Sequence, residues 1–424
     1  MAIASDAPKD FRLSMLIYDT RFRAITIQVI VLLLVLLGVA WLLNNTIANL
    51  AAKDKDIDFG FLSARAGYDI GQALIPYTND SSHFRAALVG LVNTLVLAFF
   101  GCVFATILGV VAGVLRLSNN WIVARLMTVY VEMFRNIPLL LWIILAYVIL
   151  SETLPTTADF RKSAALIADG LPPIATMSFG DTVALTNQGL NVPSPFFTRG
   201  LGFINIGDLA ISVSFLAVAA VLAVSILVNM GVLRRARVIQ EATGDRPVTW
   251  WKSLLILIGP VAVLCIAMGL SFDLPVMGKF NFAGGISIDH AFTAMLVALT
   301  LYTGAFIAEA VRAGIQAISR GQSEAAFALG LRPNRTMKLI ILPQALRVII
   351  PPLISQWLNL TKNTSLGIAV SYLDLRGTLG GITLNQTGRE LECMLLMMLI
   401  YLIISLIISS LANMYNASMK LKER

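Results

Sequence analysis

Long apolar runs separated by shorter polar segments set the frame of this chain. They cover Ala24–Leu43, Ala86–Leu115, Ile137–Leu154, Leu209–Leu233, Ser253–Phe272, Ala291–Ala308, Val348–Leu373 and Cys393–Tyr415. A helix rises about 1.5 Å per residue, so roughly twenty apolar residues cross the hydrocarbon of a bilayer. The pattern predicts an all-α polytopic membrane protein with about eight transmembrane helices. The first run is too long for a secretory leader core and ends in Asn44-Asn45 without a small-residue cleavage site, so it is expected to stay as a span. Ala86–Leu115 holds thirty uncharged residues and crosses with tilt or an interfacial turn. The third run is cut close by Glu132 and Arg135 before it and by Glu152 near its end, and Lys362 interrupts the seventh. Residues 155–208 form a long polar loop rich in Pro, Thr, Asn and Gly, expected to carry a small lid or a short hairpin.

One segment between two spans is amphipathic instead of apolar. Ser319–Pro343 carries Arg320, Arg332, Arg335 and Lys338, with Arg347 just beyond. Ser319 followed by Gln322 fits a capping box. Ala325 to Leu329 then read as one short helix of small and apolar residues, Gly330 suits its C-terminal turn, Pro333 suits the first turn of a second helix, and Pro343 is expected to end it. An Ala-rich face lets another protein's backbone approach closely, as a docking element requires.

Composition agrees with the membrane reading. The chain is 57% hydrophobic and 13% charged, with a mean hydropathy of +0.80, which excludes an ordinary soluble globular protein. The net charge of +8 matters by location and is not a nucleic-acid footprint. With the N-terminus inside, 21 of the 32 Lys and Arg fall in cytoplasmic segments and 10 in outer ones, with Lys362 within a span. This bias predicts that both termini and the Ser319–Pro343 segment face the cytoplasm. The three cysteines, Cys102, Cys265 and Cys393, are far apart and read as packing residues; no metal-ligand spacing appears. His83 and His290 stand alone at the edges of runs and read as interfacial polar residues.

Polar groups within spans mark a solute path or hydrogen bonds between helices. Asn93 and Thr94 lie in the first half of the second span. Asn359, Lys362, Asn363, Thr364 and Ser365 cluster in the seventh. An amino-acid zwitterion needs acceptors for its ammonium and donors for its carboxylate. Lys362 supplies a donor, or it snorkels outward. For single Asn and Thr residues the helix-bonding reading is favoured, and for the seventh-span cluster as a whole the path reading. Glu309 and Arg312, three apart, are expected to pair on one helix face. Pro351-Pro352 frees backbone groups and is expected to kink its helix. Gly278-Lys279 is followed by Phe280, so the phosphate-binding pattern G-x-x-x-x-G-K-[ST] is not met.

Glu324-Ala325-Ala326, three residues, Gly330, nine residues and Ile340-Ile341-Leu342-Pro343 resemble the coupling-loop motif of binding-protein-dependent ABC importer permeases at every specified position. Phe134–Ile143, Thr300–Ala326 and Asn359–Gly367 resemble segments of the polar-amino-acid branch. The longer layout is similar to the larger permease of proteobacterial general L-amino-acid importers. The resemblance implies a type I importer core in two parts, 86–154 and 290–424, with the coupling loop at 319–343. An extra N-terminal helix lies in 1–85, and a helix pair is inserted in 155–289. It implies Glu324, Ala325, Ala326, Gly330, Ile340, Leu342 and Pro343 as ATPase-coupling residues, and no catalytic residue in this chain. It further implies that ATP and Mg are held by a separate ATPase dimer, and that the chain works with a second, shorter permease and a periplasmic binding protein in the bacterial inner membrane. An ion-driven secondary carrier is the contrasting class and needs buried acidic coupling residues; no Asp or Glu is read well inside a span. Another small polar solute is the contrasting substrate.

Overall fold

The computed structural model describes residues 17, 20–52, 57–206, 209–245 and 247–419. Both chain ends, on which the expected orientation of the termini bears, lie outside these residues. Among the described residues, eight helices are long and apolar enough to cross a membrane. The chain divides into two units, residues 1–59 and 60–424. In the first, α1 (Thr20–Ala51) is apolar around its circumference and exposes Leu32, Leu33, Leu34 and Trp41. A helix apolar on all sides has lipid as its natural solvent.

In the second unit, α2 (His83–Leu115), α3 (Trp121–Asn136), α4 (Leu139–Thr153) and α5 (Thr157–Ala168) lead into a set of short strands. These are β1 (Ala184–Thr186), β2 (Gly189–Val192), β3 (Ser194–Phe197), β4 (Phe203–Ile206) and β5 (Leu209–Ser212). The helices α6 (Val213–Thr243) and α7 (Trp250–Ala267) then pack on one another. Four more strands follow, β6 (Leu270–Asp273), β7 (Val276–Met277), β8 (Phe282–Ala283) and β9 (Ile286–Asp289). The chain re-enters the bundle as α8 (His290–Gln316). After α8 come α9 (Arg320–Ala328), α10 (Pro333–Thr336), a π-helical stretch Met337–Ile341, α11 (Leu342–Asn363) and, at the end, α12 (Glu390–Met419).

The helical expectation holds for the spans, the inserted pair α6 and α7 included, and the loops of the insertion add short strands. The loop at 155–208 carries the expected short hairpin, β1 with β2, and adds the capped helix α5 and further strands. Leu209–Ser212 and Leu270–Asp273, read as span ends, are strands. They hold Leu209, Ala210 and Ile211, and Leu270 and Phe272, and hydropathy alone does not separate a strand from a helix end over four residues. The connection at 116–135 is largely an amphipathic helix. Met127, Tyr130, Val131 and Phe134 recur at three- and four-residue spacing and face the bundle. Tyr130 donates to the Leu301 carbonyl at 2.7 Å, and Phe134 stacks on Trp142 at 4.1 Å between centroids. The seventh span ends early: α11 stops at Asn363, a 3₁₀ stretch runs through Val370, and Ser371 takes a left-handed φ of 59°. Pro351 and Pro352 both lie inside α11.

α8 is the centre of the bundle, with 61% of its apolar window buried. Leu97, Ala98 and Ala105 of α2, Ile143 of α4, Met295, Leu299 and Ile307 of α8, and Ala345 and Ile349 of α11 form one core. The α2–α8 contact is the most extensive and is lined by small residues, as helix pairs in lipid require. At its far end, Arg116, the residue that ends α2, with its side chain 8% exposed, donates from Nη1 to Glu309 Oε2. Arg312 Nη2 donates to Glu309 Oε1 at 2.6 Å, and Arg135 Nη1 lies 3.8 Å from the same carboxylate. The expected Glu309–Arg312 pair is therefore part of a cluster that ties three helices at one depth.

Candidate functional site

The hairpin after α8 has the helix–turn–helix form expected, with two corrections. Ser319 is the N-cap of α9, but its side chain makes no cap hydrogen bond, so the capping box does not form. Pro343 ends nothing: α10, the π stretch and α11 run on continuously, and Pro343 sits in the first turn of α11, where a missing N–H costs least. Gly330 takes φ +73°. Its N–H bonds the Phe327 carbonyl at 2.9 Å, while Leu331 N–H bonds the Ala326 carbonyl at 3.1 Å. These are the two bonds of a Schellman turn, and the left-handed φ favours glycine. Gln344 Nε2 donates to Gln322 Oε1 at 3.3 Å, tying α9 to α11.

Ala326 faces inward at 1% exposure. Glu324, Ala325, Leu342 and Pro343 are exposed, and Ile340 is half-buried. Phe327 is 50% and Leu329 81% exposed. Two large apolar side chains on a mostly polar hairpin form a surface suited to a protein groove. Glu324 forms no hydrogen bond or ion pair among the described residues.

The seven candidate path residues separate into two groups. Asn93 and Thr94 are buried and clamp α2 to the segment after α11. Asn93 Nδ2 donates to the carbonyls of Gln72 at 2.8 Å and Leu373 at 2.9 Å. Tyr372 Oη donates to the Asn93 carbonyl at 3.0 Å. Thr94 Oγ1 accepts from Leu375 N–H at 3.0 Å and donates to the Gly90 carbonyl at 2.9 Å. Thr364 is buried as well and donates to the Thr361 carbonyl at 2.9 Å. By contrast, Asn359 and Lys362 are exposed, and Asn363 and Ser365 are half-buried. Ser355, Asn359, Lys362 and Asn363 form a polar stripe along a face of α11 that this chain leaves uncovered, and Ser365 follows it in the 3₁₀ stretch. An apolar cavity of about 700 Å³ lies beside α2 and α11, lined by Phe99, Cys102 and Trp357 among others. No candidate path residue lines it, and its apolar wall does not suit a polar solute.

Sequence reasoning missed Asp374 and the burial of His83. Asp374 follows directly on the seventh apolar run and is 0% exposed. Its Oδ1 accepts from Gly377 N–H at 2.9 Å and its Oδ2 from Tyr401 Oη at 3.1 Å. His83, read as interfacial, is buried at 3% exposure, with Nδ1 3.1 Å from Thr383 Oγ1. Burial pushes the Asp374 carboxyl up to about 6, against the opposing pull of the Gly377 N–H, the Tyr401 hydroxyl and the Arg376 side chain. An unfolded Asp titrates near about 3.9. The native state therefore favours the protonated acid. Asp374 stabilises fully below about pH 4, and this contribution is lost as pH rises through about 6. Asp374→Asn keeps an N-cap oxygen. It is expected to flatten the fall in thermal stability between pH 4.5 and 7 and to stabilise at pH 7.5 by up to about 3 kcal/mol. Unfolding curves of both proteins across that range check this, and superimposable pH profiles would count against the assignment.

The family described as "Binding-protein-dependent transport system inner membrane component" matches residues 247–421, which contain α8, the hairpin and α11. The glutamate/glutamine/aspartate/asparagine transport system permease protein BztB of Rhodobacter capsulatus is 65% identical over 426 residues, covering 100% of both chains. The general L-amino acid transport system permease protein AapQ of Rhizobium johnstonii is 41% identical over 96% of this chain and 94% of its own. A crystal structure of an amino acid ABC transporter with histidines aligns at a TM-score of 0.43 and 18% identity, over 79% of this chain and 95% of that one. The likeness to the two permeases runs through the insertion as well as the core. The chain belongs to the binding-protein-dependent transport system inner membrane components and is the permease subunit of an ABC importer.

Proposed function

We propose that this chain is the larger permease of an importer that moves polar and acidic L-amino acids across a bacterial inner membrane. The observation that carries the reading is the full-length 65% identity to a permease whose name gives glutamate, glutamine, aspartate and asparagine. Both termini and the hairpin face the cytoplasm in this reading, and the strands of the insertion face the periplasm. An ATPase dimer, which binds ATP and Mg, receives α9 in a surface groove. Phe327 and Leu329 enter that groove, and Glu324 pairs with a basic group on its rim. Closure of the ATPase pushes the hairpin, and α11, continuous with α10, carries the displacement into the membrane as a rigid body.

The uncovered stripe of α11 supports a second permease chain. A lysine facing lipid near the bilayer interior costs several kcal/mol. Lys362 and Asn359 avoid that cost when a partner permease closes a hydrated path over them. We assign the path to Asn359, Lys362, Asn363 and Ser365, with Lys362 meeting the substrate carboxylate. We assign Asn93, Thr94 and Thr364 to holding α2 and α11 in place beside it. The test is uptake of labelled amino acids into proteoliposomes holding the chain with its second permease and ATPase, with binding protein outside. Uptake that requires both ATP and binding protein is expected, and uptake driven by an ion gradient without ATP would refute the reading.

A further inference from the structure

At the end of α8 remote from the coupling hairpin lies a polar cavity of about 260 Å³. Its floor follows from strand periodicity. β2 pairs with β9 antiparallel, with Gly189 opposite Asp289 and Asn191 opposite Ser287. Alternate residues of paired strands share a face, so these four lie on one side and Leu190 and Ile288 on the other. Ile288 packs on the main core. The opposite face lines the cavity, completed by Thr186, Gln188, Asn281 and His290.

Two side chains bring unused hydrogen-bonding groups to the cavity. Asn191 is 4% exposed, lines the cavity, and its side-chain amide makes no hydrogen bond among the described residues. The amide atoms themselves are not sealed in, so they stay available to a solute in the cavity. Asp289 caps α8 by accepting from Ala291 N–H through Oδ1 at 3.1 Å, which leaves Oδ2 without a hydrogen bond among the described residues. His290 sits on the Tyr147 ring at 4.7 Å, its Nδ1 2.8 Å from Asp289 Oδ1 but out of line for a hydrogen bond.

We propose that this cavity binds the zwitterion of an α-amino acid with an uncharged polar side chain, as a site separate from the path along α11. Asp289 Oδ2 accepts from the ammonium. Asn191, Ser287 and Gln188 supply donors and acceptors for the carboxylate and for an amide or hydroxyl side chain. Among the described residues no Lys or Arg lines the cavity, so an anionic side chain meets no full counter-charge there. At about 30 Å³ per water, the space holds roughly eight or nine waters, the bulk of a solute with about ten heavy atoms. Glutamine is of that size. Such a site gives a released amino acid a holding place where the insertion meets the first turn of the central helix. This assigns the inserted strands a role in capture.

The ligand class rests on the amino-acid reading, but the site is tested without transport. Labelled L-glutamine is equilibrated by dialysis against the intact importer complex in lipid nanodiscs, with neither ATP nor binding protein. Saturable binding is expected. Asp289→Asn, which keeps the cap, and Asn191→Leu are each expected to weaken it at least tenfold with unchanged thermal stability. N-acetyl-L-glutamine, which lacks the ammonium, is expected not to compete. The proposal is overturned by absence of saturable binding, by binding that both variants retain, or by equal competition from the acetylated compound. A complex that fails here yet imports amino acids leaves the importer reading intact, so the two failures are distinguishable.

Discussion

Gly109→Leu is expected to force the two central helices apart and to leave little folded protein. A Cβ at Gly109 would lie 2.6 Å from the Ile307 side chain and 2.8 Å from the Gly304 carbonyl oxygen. The second of these is backbone, so no rotamer change relieves it. The same helix pair is equally close one turn on, where a Cβ at Gly113 would lie 2.6 Å from the Ala308 carbonyl oxygen. Overpacking a core usually costs about 1–3 kcal/mol, and a clash with backbone on the most buried helix belongs at or above the top of that range. Gly231→Leu is the matched control, because nothing lies within 4 Å of a Cβ there. Thermal unfolding in detergent is expected to show a clear drop in Tm and in monodisperse yield for Gly109→Leu and no change for Gly231→Leu. Equal behaviour of the two variants would mean that the α2–α8 approach is not close.

How far each part could be read from the sequence depends on its period and its partners. Spans are set by a bulk property, and hydropathy averaged over twenty residues finds them. The fourth of them, Val213–Thr243, runs past its apolar run through Arg234, Arg235 and Arg237 because a helix is not obliged to stop at the bilayer surface. The hairpin was legible because its signals are local: Gly330 for a left-handed turn and Pro333 for a first turn depend on neighbours two or three residues away. Ser319 and Pro343 were misread for the complementary reason. A cap needs a side-chain rotamer, and a proline marks a helix start as readily as an end. Most of the inserted strands were missed because each is four residues or fewer, and although β1–β2, β4–β5 and β7–β8 pair locally, β2 with β9 and β3 with β6 pair across long separations. Asp374 was invisible because its burial is made by Tyr401 and by α2, far away in sequence. The polar groups in spans are the instructive middle case. Composition marked Asn93 and Lys362 alike, and only packing places one against Leu373 and the other on an uncovered face.

Glu324→Lys is expected to abolish ATP-driven uptake while leaving the fold untouched. The side chain is exposed and has no intramolecular partner among the described residues, so reversing its charge removes nothing that holds this chain together. Surface substitutions of that kind shift stability by about 0.5 kcal/mol or less. At a docked interface the balance differs, since a like charge set against a basic groove costs several kcal/mol, a loss of about a hundredfold or more in affinity. Gly330→Ala separates docking from leverage. Nothing lies within 4 Å of a Cβ at Gly330, so the cost is confined to the left-handed φ, about 1–2 kcal/mol. That energy is enough to relax the Schellman turn and change the angle between α9 and α10 without altering the docking face. The expected pattern is therefore asymmetric. Glu324→Lys loses both uptake and co-purification with the ATPase, whereas Gly330→Ala co-purifies normally, stimulates ATP hydrolysis, and transports less per ATP consumed. Uptake by Glu324→Lys at the level of the unaltered protein would remove α9 from the coupling route. Joint loss of co-purification in both variants would mean that the turn shapes the docking surface itself instead of transmitting its movement.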